Sequence, residues 1–284
     1  MYRSRTGRGG KVWVGLHGWS GNHRTFQPLW DKLPEAVSFV TFDLPGCGKS
    51  AEPKSWEIRV VAQEIAQEVL SLDKEKVTLV GSCTGGLMAL FVARELIEMG
   101  KEDVIGRIVM LDPFARCPWY FGIFLVPLVG PMMYATAFAN PLGRWALDMR
   151  LREKRTGKVS LTESFREVNH GVALAYLRMF AQAGEPEQFR ALGVPVEIIR
   201  GEKTFAAVIK SVEEWRAIWP EVRVHVLPGV GHLPIEEGSE AVREILFRGA
   251  GERKTPKKER LSSQKARELR EWRNELTRGD SVER

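Results

Sequence analysis

Gly81-Ser82-Cys83-Thr84-Gly85-Gly86 lies where the apolar run Val77 to Val80 gives way to a segment of helical periodicity, Gly86 to Met99. A strand that turns at once into a helix forces the residue at its tip into a strained backbone, and only hydrogen side chains fit beside it. Cysteine framed by glycines two residues away on either side therefore predicts a nucleophile elbow with Cys83 at the tip. The free N–H groups of the following helix point at that tip, where negative charge would develop. Ser82 is one residue off the tip and is not the expected nucleophile.

Outward from the elbow, short β-branched runs alternate with longer helical stretches, the pattern of a parallel sheet with helices on both faces. Val12 to Leu16, Val37 to Asp43, Val77 to Gly81, Ile105 to Asp112, Val194 to Gly201 and Arg223 to Leu227 are the expected strands. Ile58, Val61, Ile65, Val69 and Leu72 recur at three- and four-residue spacing, so 58–72 is an expected amphipathic helix. Gly86 to Met99, Ile209 to Ile218 and Ser239 to Phe247 are expected crossover helices.

From Phe114 to about Arg190 that rhythm stops. No strand is expected there, and apolar side chains crowd from Trp119 to Phe138. A transmembrane helix would need about 18–20 uninterrupted apolar residues, but Pro118, Pro127, Pro131 and Pro141 break every such window. A helical cap over the sheet edge is the expectation. Met132 and Met133 read equally as plain core or as lid residues touching an apolar substrate.

Bulk properties fit one large domain with an insertion. Hydrophobic residues make up 44% and charged residues 27%, ordinary globular usage that excludes disorder or a fibrous array. The net charge of +6 is uneven. Residues 252–284 hold 11 Lys or Arg against 7 Asp or Glu, or +4, leaving +2 for the preceding 251. That tail reads as a solvated helix with Leu261, Leu269, Trp272 and Leu276 on one face, able to touch a protein partner or an anionic surface. Cys47, Cys83 and Cys117 stand at unrelated spacings and suggest neither a disulfide framework nor a zinc site. Met1 to Gly10 is basic and Gly-rich without an apolar run, so no signal peptide is expected and the cytoplasm is the default compartment. No motif requires a cofactor, a metal or a specific nucleic acid.

Three further motifs accompany the elbow: Leu16-His17-Gly18-Trp19, Asp43-Leu44-Pro45-Gly46-Cys47-Gly48-Lys49-Ser50 and Gly229-Val230-Gly231-His232-Leu233-Pro234. In that order the four resemble the α/β-hydrolase family over roughly Val12 to Phe247. The resemblance implies an α/β-hydrolase fold, a mostly parallel sheet with helices on both faces and a helical cap inserted after the sixth-strand equivalent. It divides the chain into a core of 1–113 and 191–248, a cap of 114–190, and a linker and tail of 249–284. By the same resemblance His232 is the expected general base, the backbone amides of Trp19 and Thr84 the expected oxyanion donors, and His17 structural. His23, His170 and His225 have no motif around them.

The third triad member departs from the family pattern. Where the family usually carries G-x-x-D, this chain reads Gly201-Glu202-Lys203-Thr204, and threonine cannot stabilise an imidazolium as a carboxylate does. Asp112, at the end of the preceding strand, is the favoured acid. Glu202 reaching in, or a Cys–His dyad without an acid, are the alternatives, and Asp112 also reads as a mere strand-end cap.

Cysteine elbows of this form resemble those of dienelactone hydrolases and polyhydroxyalkanoate synthases, while the other motifs resemble the esterase, haloperoxidase and epoxide-hydrolase branch. A cysteine points to acyl transfer through a thioester on Cys83. The expectation is hydrolysis of an ester, lactone or thioester of a small molecule with an apolar acyl part. An acyltransferase, or an inactive ligand-binding relative, are the other readings.

Overall fold

The computed structural model describes residues 1–156 and 159–250. Seven strands, β1 (Arg3–Thr6), β2 (Lys11–Leu16), β3 (Val37–Phe42), β4 (Val77–Ser82), β5 (Ile105–Leu111), β6 (Val196–Gly201) and β7 (Arg223–Leu227), form one sheet in the order β1-β3-β2-β4-β5-β6-β7. Only β1 runs antiparallel to its neighbour. The six strands expected from the sequence are present, with ends moved by two residues or fewer.

Strand β1 was not expected. Arg3-Ser4-Arg5-Thr6 has no apolar residue, because it is an edge strand whose backbone, rather than its side chains, satisfies β3. The Arg5 guanidinium donates to Ser38 Oγ at 2.9 Å, so even its polar side chains are used.

Period-two alternation explains the two cores. Val14, Phe42 and Leu79 face helices α1 (Ile58–Leu70) and α2 (Thr84–Glu98), while Trp13, Phe39 and Val80 face the other side. On that other side they meet Phe26 and the helix Ser239–Leu246.

Between β5 and β6 the described residues hold no strand, only short helices, among them α3 (Val129–Tyr134), α4 (Pro141–Arg150) and α5 (His170–Ala181). Helix α6 (Ala206–Ile218) then connects β6 to β7. Among the described residues no single helix is long and apolar enough to cross a membrane. The segments Trp119–Leu125 and Val129–Ala139 have the composition together, but they meet at 111°. Met132 and Met133 are neither core nor cavity lining: they are 63% and 37% exposed, so both sequence readings of them fail. The tail helix expected around Leu261, Leu269, Trp272 and Leu276 lies outside the described residues.

The strand order reverses direction between β2 and β4, since β3 lies to one side of β2 and all later strands to the other. Loops leaving the carboxyl ends of β2 and β4 therefore diverge and open a crevice, where doubly wound sheets bind ligands.

Candidate active site

The strand-to-helix turn at Cys83 is built as its glycines require. Cys83 sits between β4 and α2 with φ 54° and ψ −120°, a left-handed conformation a side chain rarely adopts. A Cβ on Gly81 would lie 2.2 Å from the Gly85 carbonyl oxygen, and one on Gly85 would lie 2.1 Å from that of Leu16. The Cys83 N–H donates to Leu111 O at 2.7 Å, extending the sheet ladder one residue and fixing the tip.

Gly18 brings the loop after β2 against the tip, its α-carbon so close that an added Cβ would meet Cys83 Cβ at 2.9 Å. In that loop and at the start of α2, the backbone N–H groups of Trp19 and Thr84 have no partner among the described residues. The Trp19 ring is held by Nε1 donating to Ala173 O at 2.7 Å and packs edge-on against Phe138 and Phe165 at 5.1 and 4.9 Å.

The Asp112 carboxylate, wholly buried, faces His232 Nδ1 at 2.7 Å. Its other oxygen accepts from Gly201 N–H at 2.8 Å. Asp112 itself adopts φ 48°, one residue past the end of β5, and its N–H donates to Ile199 O at 2.8 Å. The residue in the family's usual acid position is drawn in too: Thr204 Oγ1 donates to Asp112 Oδ2 and stands 3.3 Å from His232 Nδ1.

Glu202 does not reach the imidazole. It is exposed, and its carboxylate accepts the Gly229 N–H at 2.7 Å, stapling the loop before His232.

His232 is buried between the rings of Phe205 and Phe114, at 4.6 and 5.7 Å. Burial alone would lower its pKa, but the hydrogen bond to Asp112 and the neighbouring Cys83 sulfur outweigh it and push the imidazole up to about 10. The arrangement can therefore hold an imidazolium beside sulfur and a buried carboxylate.

The other histidines do different work. His17 is buried, its Nε2 accepts from the Leu44 N–H at 3.0 Å, and burial lowers its pKa to about 4. His23 bonds Asp43 at 2.7 Å, whose carboxylate also takes the Lys49 N–H at 2.9 Å and so holds the Gly46 to Ser50 turn. His225 bonds Glu197 at 2.8 Å and His170 approaches the Tyr134 hydroxyl at 3.2 Å.

Lys154 carried no sequence signal, yet it clamps the site from the segment between β5 and β6. Its carbonyl accepts the His232 N–H at 2.9 Å, and its ammonium donates to Thr204 O at 3.3 Å. No periodicity could have marked it, because its main-chain contact depends on how two distant loops meet.

Above Cys83 and His232 opens a cavity of about 1060 Å³, walled by apolar side chains such as Leu87, Phe121, Phe124 and Leu177. Its size exceeds the usual small-ligand range of roughly 300–1,000 Å³ only slightly. No group of three or more His, Cys, Asp or Glu among the described residues could hold a metal ion.

A model of the alpha/beta hydrolase family matches residues 13–245. The chain is 31% identical to the AB hydrolase superfamily protein YisY of Bacillus subtilis, over 84% of this chain and 90% of that protein. It is 27% identical to 2-succinyl-6-hydroxy-2,4-cyclohexadiene-1-carboxylate synthase of an Enterobacter species, covering 86% and 93%. Among solved structures, a bromoperoxidase from Bacillus anthracis superposes with a TM-score of 0.68 at 20% identity, over 87% of this chain and 93% of that one.

Proposed function

Because the chain belongs to the alpha/beta hydrolase family, we propose that it is a hydrolase of an ester, lactone or thioester with an apolar acyl part, acting through Cys83, His232 and Asp112. What carries the reading is the 2.7 Å contact of His232 Nδ1 with Asp112, beside a cavity that Cys83 and His232 both line. The cavity supports the substrate class, since Leu87, Phe121, Phe124 and Leu177 on its walls suit an apolar acyl chain.

In this mechanism Cys83 Sγ attacks the acyl carbonyl carbon while His232 holds the thiol proton. The amides of Trp19 and Thr84 stabilise the oxyanion. The bond from the acyl carbon to the leaving oxygen or sulfur breaks, and that atom takes the proton from His232, leaving a thioester on Cys83. Water then attacks the thioester with His232 as base, releasing the acid and restoring the thiol. Asp112 orients the imidazole and offsets its positive charge throughout.

Nitrophenyl esters of increasing chain length test this. A burst of nitrophenol with a matching acyl mass on the Cys83 peptide is expected, and both vanish in Cys83→Ala. Undiminished turnover in that variant sinks the mechanism. A competing alcohol or amine acceptor separates hydrolysis from acyl transfer: free acid as the sole product at every acceptor concentration leaves hydrolysis.

A further inference from the structure

Large hydrophobic side chains are exposed almost solely on one part of the molecule. Of the thirteen so exposed among the described residues, eleven fall between Trp119 and Met149. Leu128 is 94% exposed, Trp119 89%, Leu142 75%, Trp145 65% and Met132 63%. From 117 to 143 the sequence contains no Asp, Glu, Lys or Arg. Monomeric proteins rarely leave such a contiguous apolar surface without a function.

The same helices are apolar on both sides. Phe121, Phe124, Phe138 and Leu147 turn inward to the cavity. On α4, Leu142, Trp145 and Met149 follow at three- and four-residue spacing and share the outward face, the reverse of a helix that only covers a core. At the bend between Trp119–Leu125 and Val129–Ala139, Leu128 is held at φ 65°, so the backbone itself lifts this side chain into the open.

Charge at the rim says what covers the face. Between 117 and 156 five cations stand against two carboxylates. Asp148 is occupied by Ser160 Oγ at 2.5 Å and the Leu161 N–H at 3.1 Å, leaving Glu153 as the other acid. Arg150 and Arg152 are exposed and carry no ion pair among the described residues. Apolar residues followed by tryptophan and then by unpaired arginine is the composition of a segment lying in the bilayer interface beside anionic headgroups. Two short helices meeting at 111° suit lying in that plane.

We propose that the face formed by 119–152 docks on an anionic phospholipid bilayer, seating Leu128, Met132, Leu142 and Trp145 at the acyl boundary and Arg150 and Arg152 at the phosphates. The docking goes beyond the proposed chemistry and does not require it. Cys83→Ala is expected to bind membranes as the unchanged chain does.

Co-sedimentation of the full chain with vesicles tests the proposal, using phosphatidylcholine alone and phosphatidylcholine with about 30% phosphatidylglycerol. Binding to the anionic vesicles is expected, weakening as salt rises. Replacing both Arg150→Gln and Arg152→Gln is expected to lower that binding roughly 30-fold, at about fivefold per cation. Leu128→Glu with Trp145→Glu, both at exposed positions that the fold does not need, is expected to lower it at least about tenfold, with circular dichroism unchanged. Absence of binding to anionic vesicles overturns the proposal, as does binding that the apolar double variant leaves intact. A dimer in sedimentation velocity that the same double variant dissolves, without vesicle binding, overturns it in favour of a second copy of this chain.

Discussion

Thr204 donates its hydroxyl to the Asp112 carboxylate and stands 3.3 Å from the His232 nitrogen that the same carboxylate faces. The residue at the family's usual acid position thus bonds the carboxylate proposed to take over that role. Thr204→Val keeps shape and removes the donor, leaving a buried carboxylate oxygen one partner short. A hydrogen bond to a charged group contributes roughly 1.5–3 kcal/mol, so kcat/KM on a nitrophenyl ester should fall about tenfold or more, while Thr204→Ser should stay near the unchanged chain.

Asp112 and Glu202 make opposing predictions. Asp112→Asn loses the negative charge facing His232 Nδ1 and should lower kcat by about 100-fold or more. The Glu202 carboxylate holds only the Gly229 N–H among the described residues, so Glu202→Gln should leave kcat within about twofold. The reverse ranking in steady-state kinetics would move the acid to Glu202.

The three cysteines should separate by reactivity. Burial pushes Cys47 up to about 12 and Cys117 up to about 11, so both stay protonated and inert near neutral pH. Iodoacetamide at neutral pH should therefore modify Cys83 first. Peptide mass spectrometry over a time course checks this, and equal labelling of the three removes the chief support for Cys83.

His232 links stability to pH. Its folded value near 10 lies above the ordinary 6.5. Protonated His232 therefore stabilises the fold fully below about pH 6.5, and that contribution is lost as pH rises toward 10. Melting temperatures should show a loss over this window that His232→Gln lacks, and identical slopes in the two chains would contradict the assignment.

Gly85 tests the elbow's packing. The methyl of Gly85→Ala would lie 2.1 Å from a backbone oxygen that cannot move aside. Urea unfolding should show a loss of about 3 kcal/mol or more.

Much of this was legible because the decisive signals are local. Gly81, Gly85 and Gly231 mark close backbone approaches that leave no room for a side chain, and Asp112 stands in the sequence as a charge directly after an apolar strand. Strand β1 escaped notice because an edge strand needs no apolar face. Met132 and Met133 depart from both sequence readings because apolar density does not tell which side of a cap helix looks inward. The residue type at Thr204 signals only a missing carboxylate, because its contribution lies in a contact between loops 92 residues apart in sequence.

The ladder bonds from Cys83 to Leu111 and from Asp112 to Ile199 have a consequence for how such a chain can change over generations. They root the sulfur and the carboxylate in adjacent strands of one sheet, so their spacing is inherited with the fold. In the proposed mechanism the turn after β6 no longer supplies the acid, and its Thr204 hydroxyl donates instead to the carboxylate that does. Exchanging Thr204→Asp with Asp112→Asn would ask whether two strand ends are alternative addresses for one charge.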